Sequence, residues 1–360
     1  MRYFAFAAVA SVLGWILVNA PGPGVAQSPV EELAAAWAQS PHADAQAAPF
    51  THWNAEGEIP VGCATCHAGP GFRDFIGADG TAAGVVDHPV PVGSVIDCET
   101  CHNEVAEALT VVTFPSGVTV DDLGANARCM VCHQGTESAQ SVAMAVGQIA
   151  DDTVSADLAF INVHYRAAAA SLLGTLVKGA YEYDGKEYAG RFGHPPPADS
   201  CIGCHEPHSL TVAIEPCSEC HEGQPLMAMR VNLIDADGDG DVIEGVAGEI
   251  ATMHERLLDA IGGYAASVAG TPIAYSAEAY PYFFADSNGD GVAGPDEAVF
   301  PNRYRSWTPR LLKAAYNYQF VAKDPGIFAH NPKYAMQILF DSIESLGRGV
   351  AVDPGTMVRP

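Results

Sequence analysis

All ten cysteines of this 360-residue chain fall in pairs of one spacing, and a histidine follows each pair directly. The units are Cys63/Cys66/His67, Cys98/Cys101/His102, Cys129/Cys132/His133, Cys201/Cys204/His205 and Cys217/Cys220/His221. In c-type haem attachment, two cysteines three apart form thioethers with the porphyrin vinyl groups, and the next histidine reaches the iron from the proximal side. A disulfide framework or structural zinc would not require that histidine five times in five. Zinc ribbons also combine pairs two by two, which five units cannot do. The motifs therefore read as five covalently held haems c.

With five macrocycles between residues 51 and 223, little polypeptide remains per haem. The haems are expected to form most of that core, leaving regular structure sparse. The expected fold class is mainly α with extensive irregular structure, a haem array joined to a C-terminal helical part. The densest stretch is 201–221, CIGCHEPHSLTVAIEPCSECH, which packs two units and a spare histidine together.

Eight further histidines could complete the irons: His42, His52, His88, His164, His194, His208, His254 and His330. Three residues of extended chain span only about 10 Å, too short to wrap a macrocycle, so His208 should serve a haem other than the one beside His205. His194 precedes three prolines that stiffen its segment. His164 lies in the longest gap between units, where residues 159–177 have helical composition and 180–191 alternate like a hairpin turning at Asp184 and Gly185. His52 is 11 residues before Cys63, and His330 sits just before a helix start. These five, His52, His164, His194, His208 and His330, are the expected distal ligands. His42 reads as a solvated histidine, His88 as a reserve, and His254 as solvent-facing beside Glu255 and Arg256. Methionine ligation is unnecessary when histidines are in surplus.

Residues 1–26 open with Arg2 and an apolar run and read as an export signal, with an uncleaved membrane anchor as the alternative. Residues 27–50 read as a linker or short helix, 51–223 as the pentahaem region, and 224–360 as a helical, calcium-binding part packed upon it. Within that last part, 247–268, 308–321 and 332–346 show apolar spacing of three and four, and two of them start with proline behind a capping residue.

Two acidic loops point to calcium. Residues 286–297, DSNGDGVAGPDE, place Asp286, Asn288 and Asp290 at positions 1, 3 and 5, a glycine at 6, the Val292 carbonyl at 7 and Glu297 at 12, the full EF-hand pattern. Residues 235–246 carry Asp235, Asp237, Asp239 and Asp241, but Val246 stands at position 12, so Glu244 or Glu249 would have to substitute.

The formal charge of −26 repels nucleic-acid phosphates and favours a basic redox partner or bound cations. With its attachment motifs, the CHEPH run and the acidic loops, the chain resembles the bacterial multihaem cytochromes c. That resemblance implies electron transfer through stacked, mostly bis-histidine haems in the periplasm or at the cell exterior. The competing readings are a reductase or oxidase of a nitrogen or sulfur oxyanion with one open iron, and a homo-oligomeric subunit of an extracellular cytochrome filament. A reductase often carries lysine in an attachment motif, and no Cys-x-x-Cys-Lys occurs.

Overall fold

The computed structural model describes residues 28–230, 234–350 and 355–360. The expected export signal lies outside the described residues. The fold is mainly helical with long irregular connections, and the described strands form three two-stranded antiparallel ladders. The N-terminal half contains short helices, several of which start at or run through an attachment motif. The C-terminal half holds the long ones.

The segment expected as a linker is tied down at both ends. Its helix Pro29–Trp37 opens with a reciprocal cap between Ser28 and Glu31. It closes with Trp37, whose indole N–H donates to the Ile96 carbonyl at 2.9 Å. The Ile96 N–H in turn donates to the His42 carbonyl at 3.2 Å.

Three long helices, Val246–Tyr264, Pro309–Ala322 and Pro332–Leu346, pack together. Proline at the first turn and a side-chain cap start two of them: Thr308 accepts from the Leu311 N–H, and Asn331 from the Tyr334 N–H. Nearly every residue of Pro309–Ala322 is buried, Tyr316 and Phe320 completely, and Trp307, Tyr264 and Tyr334 around it are also completely buried. This apolar cluster is continuous with Phe72, Met130 and Val131 beside the haem motifs, so the two halves share one core.

Residues 180–191 do not form the expected hairpin strands, although the turn at Asp184 and Gly185 is present. Side-chain amides replace the strand ladder. Asn317, buried in the central helix, accepts from the Tyr181 N–H at 2.7 Å and donates to its carbonyl at 2.9 Å. Gln337 accepts from the Ala189 N–H at 2.8 Å. Backbone groups held this way have no need of a neighbouring strand. Residues 159–167 are likewise not helical: His164 and Arg166 have φ of 70° and 60°, and the helix runs only over Ala168–Leu173.

Asn317→Ala would strand both Tyr181 backbone groups. It is expected to lower holoprotein stability by about 2 kcal/mol in chemical denaturation, with haem content unchanged.

Candidate haem array

Each attachment motif is wound as a helical turn, which puts cysteines three apart on one face. The helices are Val61–His67, Cys98–Cys101, Asn126–Cys132, Cys201–Cys204 and Glu215–His221. Asp97 caps the second by accepting from the Thr100 N–H, and Ser200 caps the fourth by accepting from the Gly203 N–H. Gly203 itself is required: a Cβ there would collide with the Pro197 carbonyl oxygen, so the proline run packs directly against the fourth motif. None of the ten cysteines is paired in a disulfide.

The third motif touches three of the others. Asn126 accepts from the Cys201 N–H at 2.8 Å, Arg128 donates to the Cys101 carbonyl at 2.9 Å, and the Cys132 thiol donates to the Thr65 carbonyl at 3.6 Å. The Cys129 thiol lies against Cys201, and Cys132 against Cys66. These contacts, with burial, push the Cys129 and Cys132 thiols up. The fifth motif joins through the fourth: Ala213 N–H donates to the Cys204 carbonyl at 2.7 Å, and the Cys204 thiol is raised by burial and then by Cys217.

Enclosure is uneven along the array. Eight cysteines are half-buried, among them Cys63 and Cys217, but Cys98 and Cys220 are exposed. The fifth motif reaches the array on the Cys217 side and leaves the far end of its helix, with Cys220, at the surface. Thioether formation needs only that both thiols stand on one helical face, and the three-residue spacing of Cys217 and Cys220 supplies that.

Every motif histidine has a second imidazole nearby. His133 faces His42 with ring centres 6.3 Å apart, His67 faces His164 at 5.8 Å, His102 faces His208 at 6.2 Å, and His205 faces His330 at 6.3 Å. His194 lies close enough to His221 for that charge, after burial, to lower its pKa. An iron between two imidazoles puts their ring centres about 6 Å apart, from two bonds of roughly 2 Å and about 1 Å from each nitrogen to its ring centre. The four spacings therefore fit a haem iron between the members of those ring pairs.

Hydrogen bonds at Nδ1 leave Nε2 available as the ligand nitrogen. His67 Nδ1 lies 2.8 Å from the Pro49 carbonyl, His208 Nδ1 3.2 Å from Glu206, and His330 Nδ1 2.9 Å from both oxygens of the buried Asp324. Burial alone would lower the His330 pKa, but Asp324 outweighs it and the net shift is upward. Burial lowers His67, His133, His164 and His205 and takes His42 down to about 4, a direction that favours the neutral imidazole, the form that binds metal.

His52 stacks edge-on against Trp53, which meets His67, and it lies close enough to His67 for its charge, after burial, to lower that imidazole's pKa. The placement differs from the sequence expectation at two other histidines. His42, read as solvated, occupies the position opposite His133, because the docked N-terminal helix carries its loop across the third motif. His254 does not face solvent: it stacks on Tyr318 at 3.9 Å, its Nε2 is 2.8 Å from the Tyr318 carbonyl, and burial lowers its pKa to about 4.

In the 286–297 loop, Asp286, Asp290 and Glu297 each bring an oxygen within 4.8 Å of the others. Asn288 accepts from the Asp290 N–H, and the Val292 carbonyl accepts from the Gly294 N–H. Glu297 is buried, and its Oε2 has no hydrogen-bond partner. In the 235–246 loop, Asp235 and Asp237 group with Glu249, and Asp237 and Asp239 with Glu244. Asp241 stands apart from both groups and caps the next turn, accepting from the Ile243 and Glu244 N–H groups.

No family model matches the chain, and no solved structure does. Among known proteins, it is 26% identical over 364 residues to the C-type polyheme cytochrome OmcB of Geobacter sulfurreducens, an alignment covering 85% of this chain and 47% of that protein. It is 27% identical over 369 residues to the C-type polyheme cytochrome OmcC of the same organism, covering 85% and 45%. The chain spans about half the length of the curated relatives it matches. Their polyhaem character matches the repeated Cys-x-x-Cys-His motifs of this chain, which belongs with them among the multihaem c-type cytochromes.

Proposed function

We propose that the chain transfers electrons through five haems c, each iron held between two histidines. The observation that carries this reading is that four of the five motif histidines have a second imidazole at about the spacing of two iron ligands, and His221 has His194 close enough to lower its pKa. Haem iron supplies a one-electron couple, and two imidazoles leave it no open position for a substrate. The residues bind through the cysteine pairs, orient through the histidines and set polarity through the groups at Nδ1. The histidines that would hold the irons pair as His133 with His42, His67 with His164, His102 with His208, His205 with His330, and His221 with His194.

The contacts between motifs support a branched order in which the first, second and fourth meet at the third, with the fifth beyond the fourth. Covalent haem attachment takes place outside the bacterial cytoplasm, which favours the periplasm or the cell exterior. Among the described residues no helix is long and apolar enough to cross a membrane. The formal charge of −26 favours a basic redox partner whose association weakens as salt rises. Calcium in the Asp286 loop accounts for the unpartnered oxygen of Glu297 and offsets part of that charge.

A reductase would need one iron without a second imidazole. Electron paramagnetic resonance of the oxidised protein is expected to show low-spin ferric signals alone, and a stoichiometric high-spin signal would overturn the carrier reading. In the same spectrum, His42→Ala should convert one low-spin haem to high spin, while His52→Ala should leave all of them low-spin. The buried carboxylate at His330 gives that ring anionic character, which favours ferric iron. Asp324→Asn should therefore raise one midpoint potential by roughly 60 mV, about 1.4 kcal/mol for one electron, as read by potentiometric titration.

A further inference from the structure

The 235–246 loop lacks a glutamate at its twelfth position, yet it is folded like its complete counterpart. Asp235 accepts from the Gly238 N–H at 2.6 Å with one oxygen and from the Gly240 N–H at 3.0 Å with the other. Asp286 accepts from Gly289 at 2.7 Å and Gly291 at 3.0 Å in the same way. Asp237 and Asp239 each accept from the N–H two residues on, as do Asn288 and Asp290.

The closing carboxylate also has a counterpart. Glu297 Oε1 accepts from the N–H groups of Ser287 and Asn288, the second and third residues of its loop. Glu249 Oε2 accepts from Ala236 at 2.7 Å and Asp237 at 2.9 Å, the second and third residues of the other loop. Glu249 stands three residues beyond the twelfth position, in the first turn of helix Val246–Tyr264.

These hydrogen bonds arrange the loop; a buried carboxylate points to a ligand. Asp237 is fully buried, and its Oδ2 has no hydrogen-bond partner. The buried Glu244 Oε1 has none either. Asp237 is shared by two groups of three carboxylates, one with Asp235 and Glu249 and one with Asp239 and Glu244, and two guanidiniums lie beside them. Arg230 Nη1 is 2.5 Å from Glu249 Oε1, and Arg256 donates to the Asp237 carbonyl. Oxygen donors alone, without thiol or imidazole, select a hard cation.

We propose that Asp235, Asp237, Asp239, Glu244 and Glu249 form a second calcium site, closed by a glutamate on the following helix instead of the last loop residue. The site anchors the C-terminal tail. The Val358 N–H donates to the Ala236 carbonyl at 2.9 Å, Thr356 donates to the Gly238 carbonyl, and a Cβ at Gly238 would collide with Thr356. Calcium therefore fixes the loop, the start of the helix and residues 355–360 together.

The competing arrangement has Arg230 as the internal counter-ion, with no second metal. Equilibrium dialysis of chelator-stripped holoprotein against radioactive calcium separates the two. The site predicts two calcium ions per wild-type chain, one in Glu297→Gln, one in Asp239→Asn and none in the double variant. An unchanged Soret band in each variant verifies haem loading. The amide oxygen that Asp239→Asn leaves in place can still accept from the Asp241 N–H, so the loop's own hydrogen bond stays intact, and Asp237→Asn is the second variant. In hydrogen exchange, calcium should slow residues 355–360 at least tenfold in Glu297→Gln and leave them unchanged in Asp239→Asn. One ion in wild type that is lost in Glu297→Gln, or two retained in both Asp239→Asn and Asp237→Asn, overturns the site.

Discussion

The structure depends on the third attachment motif having partners on every side. A helical turn of seven residues, Asn126–Cys132, bonds the first motif through the Cys132 thiol, the second through Arg128 and the fourth through Asn126. His133, at its end, is fixed by its carbonyl, which accepts from the Ala169 N–H at 2.8 Å, and by the facing ring of His42. The three bonds to other motifs all go to or from backbone. They hold the cysteine-bearing turns in register without the long helices or sheets that such a short region could not accommodate.

The cysteine-free C-terminal half is part of the same device. Helix Pro309–Ala322 ends where Gln319 accepts from the Val163 N–H at 3.1 Å and the Lys323 carbonyl accepts from the Arg166 N–H at 2.9 Å. These two bonds straddle His164 and hold it in its left-handed conformation beside His67. One turn further on, Asp324 orients His330 towards His205, and Asn331 caps the next helix. One helix end thus positions two imidazoles that face two different motifs. That explains why its side chains are buried almost without exception: a shift of this helix would misplace both rings.

Much of this is legible in the sequence, and the reasons are physical. Cys-x-x-Cys-His is a local signal, since its geometry is complete within one helical turn. The Thr308-Pro309 and Asn331-Pro332 starts are equally local, because a cap and a proline fix the first turn whatever surrounds it. The reach argument for His208 is local too, and the structure sets that ring opposite His102. How deeply each motif is enclosed is not local: Cys217 and Cys220 share one turn, yet only Cys217 faces a neighbouring motif. His42 carries no local signal either. Its position comes from Trp37 and Ile96, a contact between residues 59 apart in sequence, so the flanking Ser-Pro and Ala-Asp read as solvent-exposed chain. The alternation at 180–191 finds its hydrogen-bond partners in Asn317 and Gln337, more than a hundred residues away.

The acidic loops show the limit of reading a pattern by position alone. At the twelfth residue one loop has glutamate and the other valine, and by that criterion the second fails. The chemistry requires only a carboxylate that caps the second and third N–H groups with one oxygen and keeps the other beside the loop. A helix starting at Val246 brings Glu249 to that place, because the first helical turn leaves its own N–H groups free to favour a negative charge there. The substitution of a helix-borne glutamate moves the constraint from the loop to the junction between loop and helix. A cation held there would couple the packing of Val246–Tyr264 to the ordering of the tail, an effect the loop alone could not have.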